Sequence, residues 1–459
     1  MSTTTKNFVL GETPLPVPGK PSPKERKSPP LDAVTPDHRD FYQVDPALYI
    51  DPRYRQLEWD RLWTKTWINV GRVSDLPRVG SWLQAVVGPE SFIVTRSAED
   101  RLSAFHNVCQ HRGARLVSDD FGRTSVFVCP YHSWSYDREG RCRSITDRDL
   151  FCSESLSGQL DIRQVRCDTF GGFVFICMDQ NAPPLHEYLD DIPDLLAGYR
   201  LDELIVHNDI MVDLACNWKT MLDAFSENYH VHIAHPAAAG LVDDREVQMD
   251  FYPHGHARRI TPIAVHNSRK GAVGPANPAQ RVMLEAAGID PESYDGDSGT
   301  VRRSIQLAKR AMTGRPAEIY GTLTDNQLTD DWAMNIFPNM HWSIHAEGVL
   351  LLEYFPHPSD PEQCQLHIMV LGHAGMNFVN YMPPSNDHVE SERPQRVRVR
   401  HDDPDIIAIV TQLLWEDISL TAQVQRGMRS GAFKAIRLSE HEQVIRHQHA
   451  HIRRYLDRE

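Results

Sequence analysis

Cys109-Gln-His111 and Cys129-Pro-Tyr-His132, with 17 residues between them, each offer one thiol and one imidazole. A zinc finger pairs cysteine with cysteine and histidine with histidine. Here each stretch carries one of each, which suits a centre with two irons. Two thiolates then hold one iron and two neutral imidazoles the other, with sulfides between them. Replacing two thiolates by imidazoles removes negative charge and raises the reduction potential above that of an all-cysteine cluster. Pro130 and Gly113, placed in the two stretches, favour tight ligand loops. A mixed Cys/His zinc site is the plainer alternative, and colour separates the two: the cluster is red-brown, zinc colourless.

A second group of ionisable residues lies in NWKTMLDAFSENYHVHIAHP, Asn217 to Pro236. As a helix, this stretch has an apolar face of Trp218, Met221, Leu222, Phe225 and Tyr229. Asp223, Glu227 and His230 then stand at i, i+4 and i+7 on another face. Such a face is most simply solvated, but His230, His232 and His235 follow in quick succession before Pro236. On an ideal helix His230 and His235 are about 140° apart, so they converge only through an irregular last turn. His232 and His235 have the better helical spacing, and geometry alone does not choose the pair. In PDIIAIVTQLLWEDISLTAQVQRG, Ile406, Val410, Leu413, Leu420 and Val424 form an apolar stripe that contains Asp417, with Glu416 nearer its edge. A buried carboxylate needs a compensating charge or a metal, and an arginine partner is the bland alternative. Two histidines and a carboxylate make the facial triad of non-haem Fe(II) oxygenases, which leaves positions for dioxygen.

The elements that must position these groups fall into four stretches. Residues 1–44, rich in proline and without an apolar signal core, read as a disordered tail. Residues 45–66 read as a helical segment, with Pro52 at its start, packing on the catalytic part. Residues 67–180 alternate short β runs with Gly and Pro, giving a small all-β domain with two ligand-bearing loops. Residues 181–459 mix helices with strands such as Val349–Phe355 and Gln365–Leu371, while 265–330 reads as a polar, irregular insertion. A chain of 459 residues accommodates these domains. Its 41% hydrophobic and 24% charged content is that of a soluble globular protein. A net charge of −14 argues against nucleic acid, and no apolar run suits a membrane span. Eight cysteines in so long a chain are no disulfide scaffold, which points to the cytoplasm. There is no GxGxxG fingerprint and no plant-type ferredoxin cysteine run.

Cys109-Gln-His-Arg-Gly-Ala-Arg115, Cys129-Pro-Tyr-His-Ser-Trp134, Asn217-Trp-Lys219 with Tyr229-His230 and His235, and the helix from Asp417 to Gly427 carry a resemblance. Over about residues 45–455 the chain resembles the catalytic α subunit of Rieske non-haem iron oxygenases, the aromatic-ring-hydroxylating dioxygenase family. The resemblance implies an α+β fold: a small all-β Rieske [2Fe–2S] domain and a larger helix-grip catalytic domain of antiparallel sheet and helices. It implies Cys109, His111, Cys129 and His132 as cluster ligands. Its Tyr-His-x4-His pattern selects His230 and His235, with Asp417, for a mononuclear Fe(II), and leaves His232 a neighbour. Glu227, where many members have Asp, takes the catalytic bridging role, hydrogen-bonded to the cluster ligand His132 of an adjacent subunit. Asp223 stands where several members carry Asn or Glu and receives no role.

The same resemblance implies O2 as co-substrate and a separate NAD(P)H-dependent reductase, with or without a ferredoxin. It implies a homotrimer, or an α3β3 assembly with a small β subunit, and no nucleic-acid or membrane partner. The substrate is expected to be small and aromatic, and to be cis-dihydroxylated, monooxygenated or dealkylated. Phe337–Phe355 and Leu413–Trp415 are the candidate pocket segments. His341, Ser343 and His345 share one strand face, either in that pocket or towards solvent. A Rieske-type electron carrier without oxygenase chemistry is the rival reading, and it has no use for the second site.

Overall fold

The structure is a computed structural model that describes residues 42–376 and 393–457. The expected tail lies outside the described residues except at its end, where the expectation needs correction. Gln43–Val44 form a strand paired antiparallel with Ile436–Arg437, and Val44 is buried against Tyr49, Met428 and Leu438. Contacts divide the chain into two compact units: Trp59–Tyr188, and the residues through Glu58 together with those from Leu189 onward. The division falls inside one helical run, Pro52–Glu58 continued by a wider π-type turn at Trp59–Trp63.

In the unit Trp59–Tyr188 a seven-stranded sheet runs in the order Ile68–Arg72, Phe173–Cys177, Gln164–Phe170, Arg101–His106, Glu90–Ala98, Ser81–Val87, Phe121–Arg123. A smaller sheet holds Phe127–Val128, Ser135–Tyr136 and Cys142–Ser144. All the pairings are antiparallel. One core joins the two sheets through Trp82, Ile93 and Phe105 from the first and Phe127, Trp134 and Tyr136 from the second. Phe105 meets Phe127 edge-on at 5.6 Å, a pairing worth about 0.5–1.5 kcal/mol beyond its buried area. This is the all-β domain the sequence suggests.

The other unit is built on an eight-stranded sheet in the order Gln248–Phe251, Ala257–Pro262, Asp330–Ile336, Met340–His345, Gly348–Pro356, Cys364–Gly372, Ile205–Leu214, Val397–Arg400. Its pairings are antiparallel except the last, which is parallel. Gly348–Pro356 is buried at every position, so both of its faces are covered and no inside–outside alternation marks it. The helix Trp218–Ala224 packs on this strand and its neighbour Cys364–Gly372. Together the units make the chain an α+β protein. Among the described residues no helix is long and apolar enough to cross a membrane.

Three local expectations need correction. Residues 265–330 are not an irregular insertion but hold the helices Pro278–Ala286, Val301–Ala311 and Arg315–Tyr320. Their polarity is turned inward. Arg302 reaches Asp330 at 2.6 Å, Gln306 the Thr329 hydroxyl at 2.8 Å, and Lys309 the Leu328 carbonyl at 2.6 Å. The helix expected over Asn217–Pro236 breaks after Ala224, because the Ser226 hydroxyl takes the Leu222 carbonyl at 2.7 Å in place of a backbone N–H. Tyr229 therefore leaves the apolar face and stacks on His441. The stripe counted across 406–424 is also interrupted. Thr411, at φ +76°, splits the segment into Ile406–Val410 and Gln412–Met428 and resets the phase. Leu414, Asp417, Ile418 and Thr421 are buried, whereas Leu420 and Val424 are 41% and 50% exposed.

The Asn217-Trp218-Lys219 motif anchors the ligand-bearing segment. Asn217 caps the helix by accepting the Lys219 N–H at 2.9 Å, and its amide donates to the carbonyls of Tyr49 (3.1 Å) and Pro361 (2.6 Å). The Trp218 indole N–H donates to Glu58 at 2.9 Å, and the Lys219 ammonium pairs with the same carboxylate. Both members of that ion pair are 1% exposed. Removing one partner strands the other: Lys219→Met is expected to destabilise this unit by about 3–5 kcal/mol. Adding Glu58→Leu should recover most of the loss. Urea unfolding followed by tryptophan fluorescence checks both; equal stability of Lys219→Met and wild type would show that the buried pair does not support this unit.

Candidate metal centres

The two loops of the first centre share one backbone plan. The Cys109 N–H donates to the Ala114 carbonyl at 2.8 Å and the Gly113 N–H to the Cys109 carbonyl at 3.0 Å. The Cys129 N–H and Trp134 carbonyl, and the Ser133 N–H and Cys129 carbonyl, repeat those bonds at 2.8 and 3.0 Å. The fifth residue of each loop is left-handed, Gly113 at φ +78° and Ser133 at +58°. Glycine is at ease there; Ser133 costs roughly 1–2 kcal/mol. The loops face each other, with the His111 and His132 ring centroids 4.5 Å apart and His111 stacked on Trp134 at 5.0 Å.

This donor set fits a mixed-ligand cluster. Cys109 and Cys129 are buried free thiols. The Nδ1 atoms of His111 and His132 are buried without a protein hydrogen-bond partner, a costly state that iron ligation relieves. Burial, then the nearby His132 and Arg112, lower the His111 pKa and keep that imidazole in its neutral, ligating form. Tyr136, which sequence reasoning did not single out, places its hydroxyl 3.4 Å from Cys109 Sγ and accepts the Gln110 N–H at 2.9 Å. Burial and the Cys109 contact push its pKa up, so the phenol stays protonated as a donor.

At the second centre His230 and His235 bracket a single helical turn, Val231–Ala234, as its first and last flanking residues. That turn is the irregularity their spacing demands. His230 Nε2 lies 3.2 Å from His235 Nε2, and Asp417 Oδ1 lies 3.4 and 3.0 Å from those two atoms. Cis ligands of an octahedral ion at about 2.1 Å stand about 3.0 Å apart, so the three atoms fit one face of a single metal ion. Gln425 clips the helix of Asp417 to the helix Trp218–Ala224 that precedes the histidine turn: its Oε1 accepts the Asn217 N–H at 2.9 Å and the Thr220 hydroxyl at 2.8 Å. His232 is not among the converging groups.

Both outer nitrogens are pinned. His230 Nδ1 bonds the Glu227 carboxylate, which also accepts the His230 backbone N–H at 3.1 Å. His235 Nδ1 bonds Glu416 at 2.8 Å. Such carboxylate–histidine pairs fix the tautomer that leaves Nε2 for a metal. Glu416 and Asp417, adjacent in sequence, thus do different jobs: Asp417 joins the converging atoms and Glu416 orients His235. Burial opposes protonation of His230, but its bonds to Asp417 and Glu227 outweigh this and hold its pKa near 10. His235 is raised in the same way by Asp417 and Glu416. Burial alone would raise Asp417, yet the two imidazoles pull it below the usual carboxylate value. The site calls for a cation, and protons fill the part when no metal does.

Asp223 stands back from the converging atoms. It accepts the Tyr49 hydroxyl at 2.5 Å, and Tyr49 also meets His449 Nε2 at 2.8 Å, which ties the ligand helix to both ends of the described chain. His341 and Ser343 are buried, not solvated: His341 bonds Asn335 at 2.9 Å and Ser343 bonds Asp331 at 2.9 Å. A cleft of about 570 Å³ reaches Glu227, His230 and Asp417 between the exposed Leu420, Val424 and Phe433.

Two cysteines and two histidines on twin loops, together with two histidines and a carboxylate beside an antiparallel sheet, are the donor sets of Rieske non-haem iron oxygenases. Residues 201–458, more than half of the chain, match the family model "Ring hydroxylating alpha subunit (catalytic domain)", and residues 66–153 match "Rieske [2Fe-2S] domain". The chain belongs to the ring-hydroxylating α-subunit family. The glycine betaine monooxygenase oxygenase subunit of Chromohalobacter salexigens is 32% identical over 200 residues, 42% of this chain and 43% of that protein. The large oxygenase component of the naphthalene 1,2-dioxygenase system of Pseudomonas putida is 32% identical over 200 residues, 41% of this chain and 43% of that protein. The matched stretch spans less than half the length of either relative. A solved quaternary ammonium Rieske monooxygenase superposes with TM-score 0.64 at 18% identity, over 90% of this chain and 95% of its own. Naphthalene 1,2-dioxygenase from Rhodococcus sp. superposes with TM-score 0.60 at 17% identity, over 95% and 98%. These structures share the fold.

Two outcomes follow from this geometry. A hydroxyl donating to a cluster thiolate favours the reduced, more negative state, so Tyr136→Phe should lower the cluster potential by roughly 20–60 mV, about 59 mV being tenfold for one electron. An EPR-monitored redox titration reads the shift, and an unchanged or raised potential would contradict it. At the second centre a raised histidine pKa means that protons are held below that value and must leave as the metal enters. Apparent Fe(II) affinity of the metal-free site should therefore rise about tenfold per pH unit per released proton between pH 6 and 8. Anaerobic competition titrations check this; a flat profile would rule it out.

Proposed function

We propose that this chain is the terminal oxygenase component of a multicomponent system that uses O2 to hydroxylate a small organic substrate. Electrons would come from a separate NAD(P)H-dependent reductase, directly or through a ferredoxin. The observation that carries the reading is the presence of both donor sets in one chain. A pure electron carrier needs the first and has no use for the second.

The bound iron groups supply one-electron transfer at the cluster and dioxygen chemistry at the mononuclear site. The protein's own residues do the rest. Cys109, His111, Cys129 and His132 would hold the cluster. His230, His235 and Asp417 would hold the mononuclear iron, while Glu227 and Glu416 orient the two imidazoles through their Nδ1 atoms. Glu227 lies in a cleft rimmed by exposed Leu420, Val424 and Phe433, which suits the docking of a neighbouring subunit with its cluster ligand His132 towards Glu227. Head-to-tail contacts of that kind close into a ring, in support of a homotrimer or an α3β3 assembly. We assign residues 67–180 to the cluster domain and 181–459 to the catalytic domain. Free cysteines suit the cytoplasm.

Asp417→Ala is expected to lose the mononuclear iron, keep the cluster's visible absorbance and stop O2 consumption driven by a surrogate reductase. Glu227→Gln should keep both metals and slow single-turnover electron transfer by about 10–100-fold. Iron analysis with an oxygen electrode decides the first, rapid mixing the second. Full activity in Asp417→Ala would remove that residue from the site.

A further inference from the structure

A second cavity, of about 440 Å³, begins on the far side of the ligand-bearing turn from Glu227 in sequence, at Ala237 and Leu241. Ala237 follows His235 by two residues, so their Cα atoms are within about 7.6 Å. Val231, which follows His230, packs on the same apolar cluster as Ile263 and Ile305, both of which line the cavity. The helices Pro278–Ala286 and Val301–Ala311, from the stretch that reads in sequence as an irregular insertion, form its aliphatic wall. The volume falls in the range that holds a small organic ligand.

The one lysine and the one glutamate of this lining pair with each other, and His345, the remaining titratable side chain apart from Tyr320, bonds the Ser343 hydroxyl at 3.1 Å. Lys309 Nζ pairs with Glu347 Oε1 at 2.6 Å and donates to the Leu328 carbonyl at 2.6 Å, and the Tyr320 hydroxyl donates to the same Glu347 oxygen at 2.7 Å. The Lys309 ammonium stands 5.5 Å from the centroid of Tyr320, the one phenol, phenyl or indole ring in the lining among the described residues. A quaternary ammonium ligand needs an open aromatic face or a free carboxylate, and here the chain's own ammonium holds both. A ligand carboxylate would have to compete with Glu347 for Lys309. Either displacement leaves a poorly solvated charge without its partner, which is costly.

Building on the oxygenase reading, we infer that this cavity is the substrate chamber and that the Lys309–Glu347 pair makes it selective for uncharged, largely apolar molecules. Quaternary ammonium compounds and carboxylates are disfavoured. The polar cluster leaves room for at most a neutral hydrogen-bonding group on an otherwise apolar ligand.

The test is binding to the full-length, iron-loaded protein under anaerobic conditions, measured by calorimetry with indole, naphthalene, benzoate and γ-butyrobetaine. Indole and naphthalene should bind at one site at least tenfold more tightly than the two charged probes. Equal or tighter binding of γ-butyrobetaine or benzoate overturns the inference. Ala237→Phe, with iron content unchanged, should weaken indole binding at least tenfold; unaltered binding would place the ligand elsewhere and also overturn it. Lys309→Ala frees the seat over Tyr320 and should improve γ-butyrobetaine binding at least tenfold, and a folded variant without that gain counts against the selectivity. The wild-type panel and Ala237→Phe decide the matter if Lys309→Ala does not fold. Binding needs no turnover. Indole bound without O2 consumption overturns the oxygenase reading alone, whereas O2 consumption driven by γ-butyrobetaine without indole binding overturns this one alone.

Discussion

Two imidazoles held among three carboxylates set the terms for the catalytic unit. Glu227, Glu416 and Asp417 all lie in hydrogen-bond contact with His230 or His235, and much of that site is withdrawn from water. Neutral imidazoles would leave three negative charges together, a state disfavoured by repulsion and desolvation. Protons relieve it in the metal-free protein, which is why His230 is raised to about 10. A divalent cation relieves it with a better match of charge. The surrounding architecture can be read as what keeps the five groups from separating. Ser226 ends one helix early, a single turn brackets the histidines, and Gln425 clips the helix of Asp417 to the helix before them.

The buried Glu58–Lys219 pair and the Tyr49–Asp223–His449 contacts extend this support outward. Both join the helix Trp218–Ala224, which leads into the histidine turn, to segments remote in sequence. The motif Asn217-Trp218-Lys219 therefore serves position, not chemistry. Two cavities with different linings flank the ligand-bearing segment in sequence. The cleft that reaches Glu227, His230 and Asp417 has exposed aliphatic and aromatic side chains at its rim, while the cavity that starts at Ala237 is mostly aliphatic, with the Lys309–Glu347 pair, Tyr320 and His345 as its polar groups.

The candidate ligands could be proposed from the sequence because the chemistry of their residue types admits few alternatives. One Cys and one His in each of two short loops suit a two-iron centre, and a carboxylate on a buried helix face needs a counter-charge. The family resemblance then chose His230 and His235 where helical geometry could not, since the helix ends at Ala224, where the Ser226 hydroxyl takes the Leu222 carbonyl, and the histidines flank a separate turn. Periodicity failed wherever one residue reset the phase. Thr411 turned Leu420 and Val424 outward, and the inward polarity of Arg302, Gln306 and Lys309 made three helices look like a loop. Glu416 and Tyr136 act through contacts with residues far away in sequence, so no local signal marks them.

The most direct test of the account is whether the triad binds one iron separate from the cluster. Anaerobically purified protein is loaded with Fe(II), reduced with dithionite, examined by EPR, then exposed to nitric oxide. The account predicts a rhombic signal from the reduced cluster together with a high-spin iron–nitrosyl signal that disappears in His230→Ala. A cluster signal with no nitrosyl signal after Fe(II) loading would contradict it, leaving a chain that carries electrons without a place to use them.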